Sequence, residues 1–215
     1  LPTGVVRGVV RFAEGAQPPD WPPREGGLPV QPPPSPCSRA LPGDLSPLTV
    51  SPQGRGVGPV HVALTGMARL ENPAAPREHV LKIEDCRLQP GLVAAKQGDT
   101  LKVVNESKVG LLPGFQGSPF MQALLPGGER TVAVDFSGAR TFACGFAAFC
   151  GRVEVIATKH SLATATDAAG HFEIRGVPLG QDLVLHAWHP LLGHRSSAVR
   201  LETTSKEVSL ELVVE

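Results

Sequence analysis

The sequence predicts an all-β chain, and three observations carry that expectation. Short runs of β-branched and alternating polar–apolar residues recur along it, clusters of turn-forming residues separate them, and no window of useful length shows a 3.6-residue apolar period. The 215 residues include 24 Gly and 22 Pro, well above average usage of about 7% and 5%. Runs at this spacing are those of a sandwich or barrel.

The elements follow in order. Gly4–Phe12 (GVVRGVVRF) is rich in Val and reads as the first strand. Residues 17–59 contain PPDWPP and QPPPSP, and proline removes backbone donors and fixes φ, so an extended surface loop is expected there, pinned by Trp21 and Cys37. Strand patterns resume at Val60–Leu64, Val80–Ile83, Leu101–Asn105, Arg130–Phe136 and Arg152–Ala157. They continue at His171–Arg175, Leu183–Trp188 and Val208–Val214, with PGG, FSG, DAAG and PLG as punctuation. Short helical turns are allowed at Gly117–Leu124, and no fixed-period repeat is present.

Charge and composition exclude several classes. Lys+Arg and Asp+Glu are 20 each, so the chain has no electrostatic footprint for a nucleic-acid backbone. No stretch approaches the roughly 18 apolar residues of a membrane span. The 41% hydrophobic content suffices for a buried core. Four Cys without CxxC or zinc-like spacing favour disulfides over a structural metal, so a periplasmic or secreted location with the leader removed is expected.

Two stretches carry family resemblances. ATATDAAGHFEIRGVPLGQDLVLHAWHP resembles the carboxypeptidase regulatory-like domain through Ala163, Thr166, Asp167, Gly170, Phe172, Ile174, Val177, Pro178, Gly180, Leu183 and Leu185. Asp167 and Gly170 suit a tight hairpin turn, and Phe172 with Ile174 points into one core. Gly8–Val9–Val10 and Val60–Val62–Leu64 look like that family's opening strands, which lie far upstream. Between them, DCRLQPGLVAAKQGDTLKVVNES and LLPGGERTVAVDFSGARTFACGF resemble a cupredoxin of the plastocyanin/azurin type. The resemblances together imply an exported protein in which a cupredoxin-like Greek-key β-sandwich (77–157) is inserted in a transthyretin/carboxypeptidase-regulatory-like β-sandwich (1–76 with 158–215).

The cupredoxin resemblance also implies where a copper site would stand. Such a site needs two imidazoles, one thiolate and a weak axial Met. The family's ligand loop reads like C-D-V-H-P-W-M, whereas here it is Cys144–Gly145–Phe146–Ala147–Ala148–Phe149–Cys150. The first His position falls among Val109, Gly110, Leu111 and Leu112, and no His occurs between His79 and His160. Cys144 alone survives, so no metal and no other cofactor is expected. Cys144 and Cys150 are six apart without a following His, which does not fit a binuclear copper loop. Because the family's side chains converge at these two positions, the resemblance implies a Cys144–Cys150 disulfide, or else two buried thiols. Cys37 and Cys86 would then form a second bridge, although four Cys allow three pairings.

The former ligand loops are apolar. If exposed, Leu111, Leu112, Phe115, Phe146 and Phe149 form a patch for a protein partner; alternatively they collapse inward and fill the vacated site. Catalysis has no support: there is no G-x-S-x-G elbow, no phosphate loop and no dinucleotide fingerprint, and Asp135, Asp167 and Asp182 pair with no evident His or Ser. No small-molecule substrate is therefore expected. His186 and His189 fall on opposite faces of a strand, so with His194 they make a shared metal site only if the strand ends before Pro190. Trp21 and Trp188 are the only indoles for stacking on sugar. The expectation is a non-catalytic structural or interaction component of an envelope or extracellular assembly. The rival is a copper-binding or electron-transfer protein using Cys144 in an atypical site.

Overall fold

The computed structural model describes residues 2–12, 15, 48–67, 74–118, 122–145 and 150–212, the last seven by backbone alone. No helix occurs among them, and the chain is all-β. Strands β1 (Thr3–Phe12), β2 (Thr49–Val50), β3 (Val57–Gly58) and β4 (His61–Thr65) come first. They are followed by β5 (Glu78–Glu84), β6 (Arg87–Gln89), β7 (Leu92–Lys96), β8 (Thr100–Asn105), β9 (Pro113–Phe115), β10 (Glu129–Ala133), β11 (Gly138–Cys144) and β12 (Arg152–Thr158). The chain closes with β13 (Ala163–Ala165), β14 (His171–Pro178), β15 (Asp182–His189), β16 (Gly193–Arg200) and β17 (Ser205–Leu212).

These strands fall into two compact units, one holding β1 together with Leu48–Ala75 and Thr158–Glu215, the other holding Pro76–Ala157. The first has a β14-β1-β17 sheet, a β13-β4-β15-β16 sheet and the short β2-β3 ribbon. Its core lies between the two larger sheets, where Val6 and Val10 of β1 and Phe172 and Ile174 of β14 meet Val62 and Leu64 of β4 and Leu183 and Leu185 of β15. Alternation sets this arrangement, because every second residue of each strand points to one face. The turn Asp167–Gly170 is closed by Oδ1 of Asp167, which accepts the amides of Ala169 and His171, each at 2.9 Å.

Residues 17–59 were expected to stay on the surface, but their last part does not. Val57 is fully buried in the core, and β2 and β3 pair antiparallel. Gly58 lies so close to the Asp167–Gly170 turn that a Cβ on it would stand 1.8 Å from the Asp167 carbonyl oxygen. Glycine is required there by close backbone approach. Trp21 and Cys37 lie outside the described residues.

The second unit sets a β10-β8-β5-β6 sheet against a β7-β12-β11-β9 sheet. Strand β8 runs parallel to β5 and antiparallel to β10. Leu81, Ile83, Leu101 and Val103 from one sheet pack against Phe142, Val153 and Val155 from the other. Asp99, almost fully buried between β7 and β8, accepts the Lys96 amide at 2.8 Å, the Arg77 amide at 2.9 Å and Nε2 of His79 at 2.9 Å. Burial alone would raise its carboxyl, but the His79 hydrogen bond, the two amides and the His79 charge together hold it below the usual range.

Candidate functional site

One end of the second unit brings together the segment after β8 and the segment after β11. Strand β9 pairs with β11 so that Phe115 faces Phe142, Gly114 faces Ala143 and Pro113 faces Cys144. The Gly145 amide donates to the Leu112 carbonyl at 2.8 Å, and the Leu88 amide donates to the Cys150 carbonyl at 2.9 Å. Both ends of the loop 144–150 are therefore held by backbone bonds to other strands or loops.

Cys144 and Cys150 form a disulfide with Cα atoms 5.7 Å apart. Both residues are buried, at 4% and 0% exposure, so the bridge is part of the core rather than its surface. Cys86 is also buried and disulfide-bonded, and no described cysteine is free. Cys37, expected as its partner, lies outside the described residues.

Asn105 ties together the loops that carry Val109 and Leu124. It is fully buried, and its Nδ2 donates to the carbonyls of Val109 and Leu124, each at 2.8 Å. Its Oδ1 accepts the Ser107 amide at 3.0 Å and also the Ser107 hydroxyl. Its main chain accepts the Gly127 amide at 2.7 Å. Leu111 and Leu124 are bridged to one another by reciprocal amide–carbonyl bonds of 3.1 and 2.7 Å. One side chain thus closes two loops, which is why a buried amide is tolerated: its donors and acceptor are all engaged. The sequence motif named Asn105 only as the end of a strand; the signal for its role was a polar residue at an inward position of LKVVN.

Aromatic packing completes the end. The Phe115 ring meets those of Phe136 and Phe142 edge-on, with centroids 5.1 Å apart in each case. The Arg140 guanidinium lies 4.4 Å above the Phe136 ring centre. Arg130 Nη2 donates to the Pro113 carbonyl at 2.5 Å and Nη1 to the Gln122 carbonyl at 3.3 Å. Its buried Nε finds no partner among the described residues, and burial lowers its pKa.

The five contact residues expected from the sequence divide. Leu111 is 2% exposed and belongs to the core of this unit, so it offers no contact area, and its backbone is bridged to Leu124. Leu112 and Phe115 are half-buried, Phe115 because two rings pack on it. Phe146 and Phe149 lie outside the described residues. Among the described residues at this end, Leu125 is an exposed large apolar side chain, at 68% exposure beside the buried Leu124. Its place in LLPGG, directly before a turn, was the available signal.

The copper set that the cupredoxin resemblance implies does not fit these residues. The Cys144 sulfur is bonded to Cys150 and supplies no thiolate, and the positions for imidazole are held by aliphatic groups and alanine. Among the described residues no three His, Cys, Asp or Glu side chains are grouped to hold an ion. No helix there is long and apolar enough to cross a membrane.

No family model matches the chain, and no curated protein matches it. Solved structures similar to it include amicyanin from Paracoccus versutus, at 18% identity and TM-score 0.34, covering 45% of this chain and 98% of that one. A purple cupredoxin from Nitrosopumilus maritimus aligns at 14% identity and TM-score 0.34, over 37% of this chain and 99% of that one. A Cu-containing nitrite reductase from Thermus scotoductus aligns at 13% identity and TM-score 0.34, over 44% of this chain and 25% of that one. At these scores the likeness carries no argument about function.

Proposed function

We propose that this is a non-catalytic exported protein, a structural or interaction component of an envelope or extracellular assembly. In this reading a carboxypeptidase regulatory-like sandwich carries a cupredoxin-like domain that binds no copper. The observation that carries it is the Cys144–Cys150 bridge, which takes up the one cupredoxin ligand that the sequence keeps. Burial of Leu111 and the closed Asn105 network support it further, since polar and apolar groups fill the place where a ligand cage would stand. A buried disulfide is also at home in an oxidising compartment. The absence of any nucleophile–base or phosphate-binding motif supports a non-enzymatic role.

The contact surface in this reading is the rim of that end, centred on exposed Leu125 with half-buried Leu112. The test compares capture of partners from the native source by the wild-type chain, by Leu125→Glu and by Val80→Glu, a second exposed apolar position, on β5, at 45% exposure against 68% for Leu125. Loss of capture with Leu125→Glu and retention with Val80→Glu is expected, with both variants within about 0.5 kcal/mol of wild type in stability. Equal capture by all three removes the proposed surface.

A further inference from the structure

We propose that His186 and His194 form a surface site for a divalent transition-metal ion of the copper(II) or nickel(II) type. The site lies in the first unit and is independent of the Cys144–Cys150 end. Strands β15 and β16 pair with His186 opposite Ser196 and Trp188 opposite His194. The two imidazoles therefore share one face of the sheet on a diagonal. Nδ1 of His186 and Nε2 of His194 are 2.8 Å apart, with the rings inclined by 25° and their centres 5.1 Å apart. The edges that carry these nitrogens face each other.

The third member of the cluster fixes the chemistry of the first. Thr65 Oγ1, on β4, stands 2.7 Å from Nε2 of His186. A proton on Nε2 held by that hydroxyl leaves the Nδ1 lone pair free and orients the ring, which is the usual supporting bond behind a metal-binding imidazole. With that tautomer, Nε2–H of His194 donates to that lone pair in the metal-free pair. An incoming ion takes the proton's place between the rings. His194 then carries its proton on Nδ1 instead, so the step is a change of tautomer in which no proton is gained or lost.

The spacing fits. Two metal–nitrogen bonds of about 2.0–2.1 Å meeting near a right angle put their nitrogens about 2.9 Å apart. A right angle between nitrogen ligands suits tetragonal copper(II) and nickel(II). Both lone pairs reach one ion when the rings turn from their edge-to-edge alignment, and His194 is exposed and free to turn. Water completes the coordination, so the affinity expected is micromolar.

Copper(II) titration of the oxidised 215-residue chain by calorimetry at neutral pH tests this, with electron paramagnetic resonance reading nitrogen coupling. One equivalent is expected to bind with coupling to nitrogen. His194→Ala and His186→Ala each weaken binding about tenfold or more, while His171→Ala, an exposed imidazole on another sheet, leaves it unchanged. Because His194 is exposed, its variant reads binding even where His186→Ala unfolds. Wild-type affinity no higher than that of His194→Ala, or equal loss with His171→Ala, overturns the proposal.

Discussion

Cys150 and His61 show how single side chains set the properties of each unit. A bridge between residues six apart closes a short loop, and the chain-entropy cost it removes from the unfolded state is about 2 kcal/mol. Cys150→Ser is therefore expected to lower unfolding stability by about 2 kcal/mol, read by chemical denaturation of the oxidised protein. An unchanged midpoint would show that the loop is held by the Leu88 and Leu112 backbone bonds alone. His61 is 6% exposed and its Nε2 has no partner among the described residues. Burial, with a smaller contribution from the His160 charge, pushes its pKa down from 6.5 to about 4. The folded state therefore refuses a proton that the unfolded state accepts between those values, so stability falls as pH drops from about 6.5 to about 4. The loss is about 3 kcal/mol at the acid end, and His160, also lowered by burial, acts in the same direction. Denaturation across this range should show a shallower acid slope for His61→Gln than for wild type. Parallel slopes would remove His61 as the cause.

Strands with large alternating side chains were legible; strands without them were not. GVVRGVVRF, LKVVN, RVEVIA and DLVLHAW announce β1, β8, β12 and β15 because each sets a row of Val, Leu or Ile on one face. Strand β16, GHRSSAVR, gave no such signal, because it is an edge strand with small and polar residues mostly exposed. Strand β7, LVAAK, is short, and alanines provide little periodic contrast. In the stretch 117–124 the described residues form no helix, and Leu124 bridges to Leu111 instead. At β3, close approach dominates: Gly58→Ala would drive a Cβ into the Asp167 carbonyl. That substitution is expected to cost more than about 3 kcal/mol or to prevent folding, as read by thermal melting. A melting point like wild type would mean that the turn can move away.

Across the whole molecule, equal counts of acidic and basic residues give a pI near 7.2. No retention on a phosphate polyanion column is expected even at low salt, and retention that falls steeply with salt would reinstate a nucleic-acid partner. The sequence by itself determined the all-β class and the stretch without histidine between His79 and His160, because periodicity and residue identity are local properties. Only the tertiary structure decided that Leu111 is core while Leu125 is exposed, that Val57 leaves the Pro-rich stretch for the interior, and that His186 and His194 meet. These outcomes depend on which distant backbone pairs with which. A single β-register decides whether a side chain faces the core or the solvent, and where the alternation is weak the distant partner strand sets it.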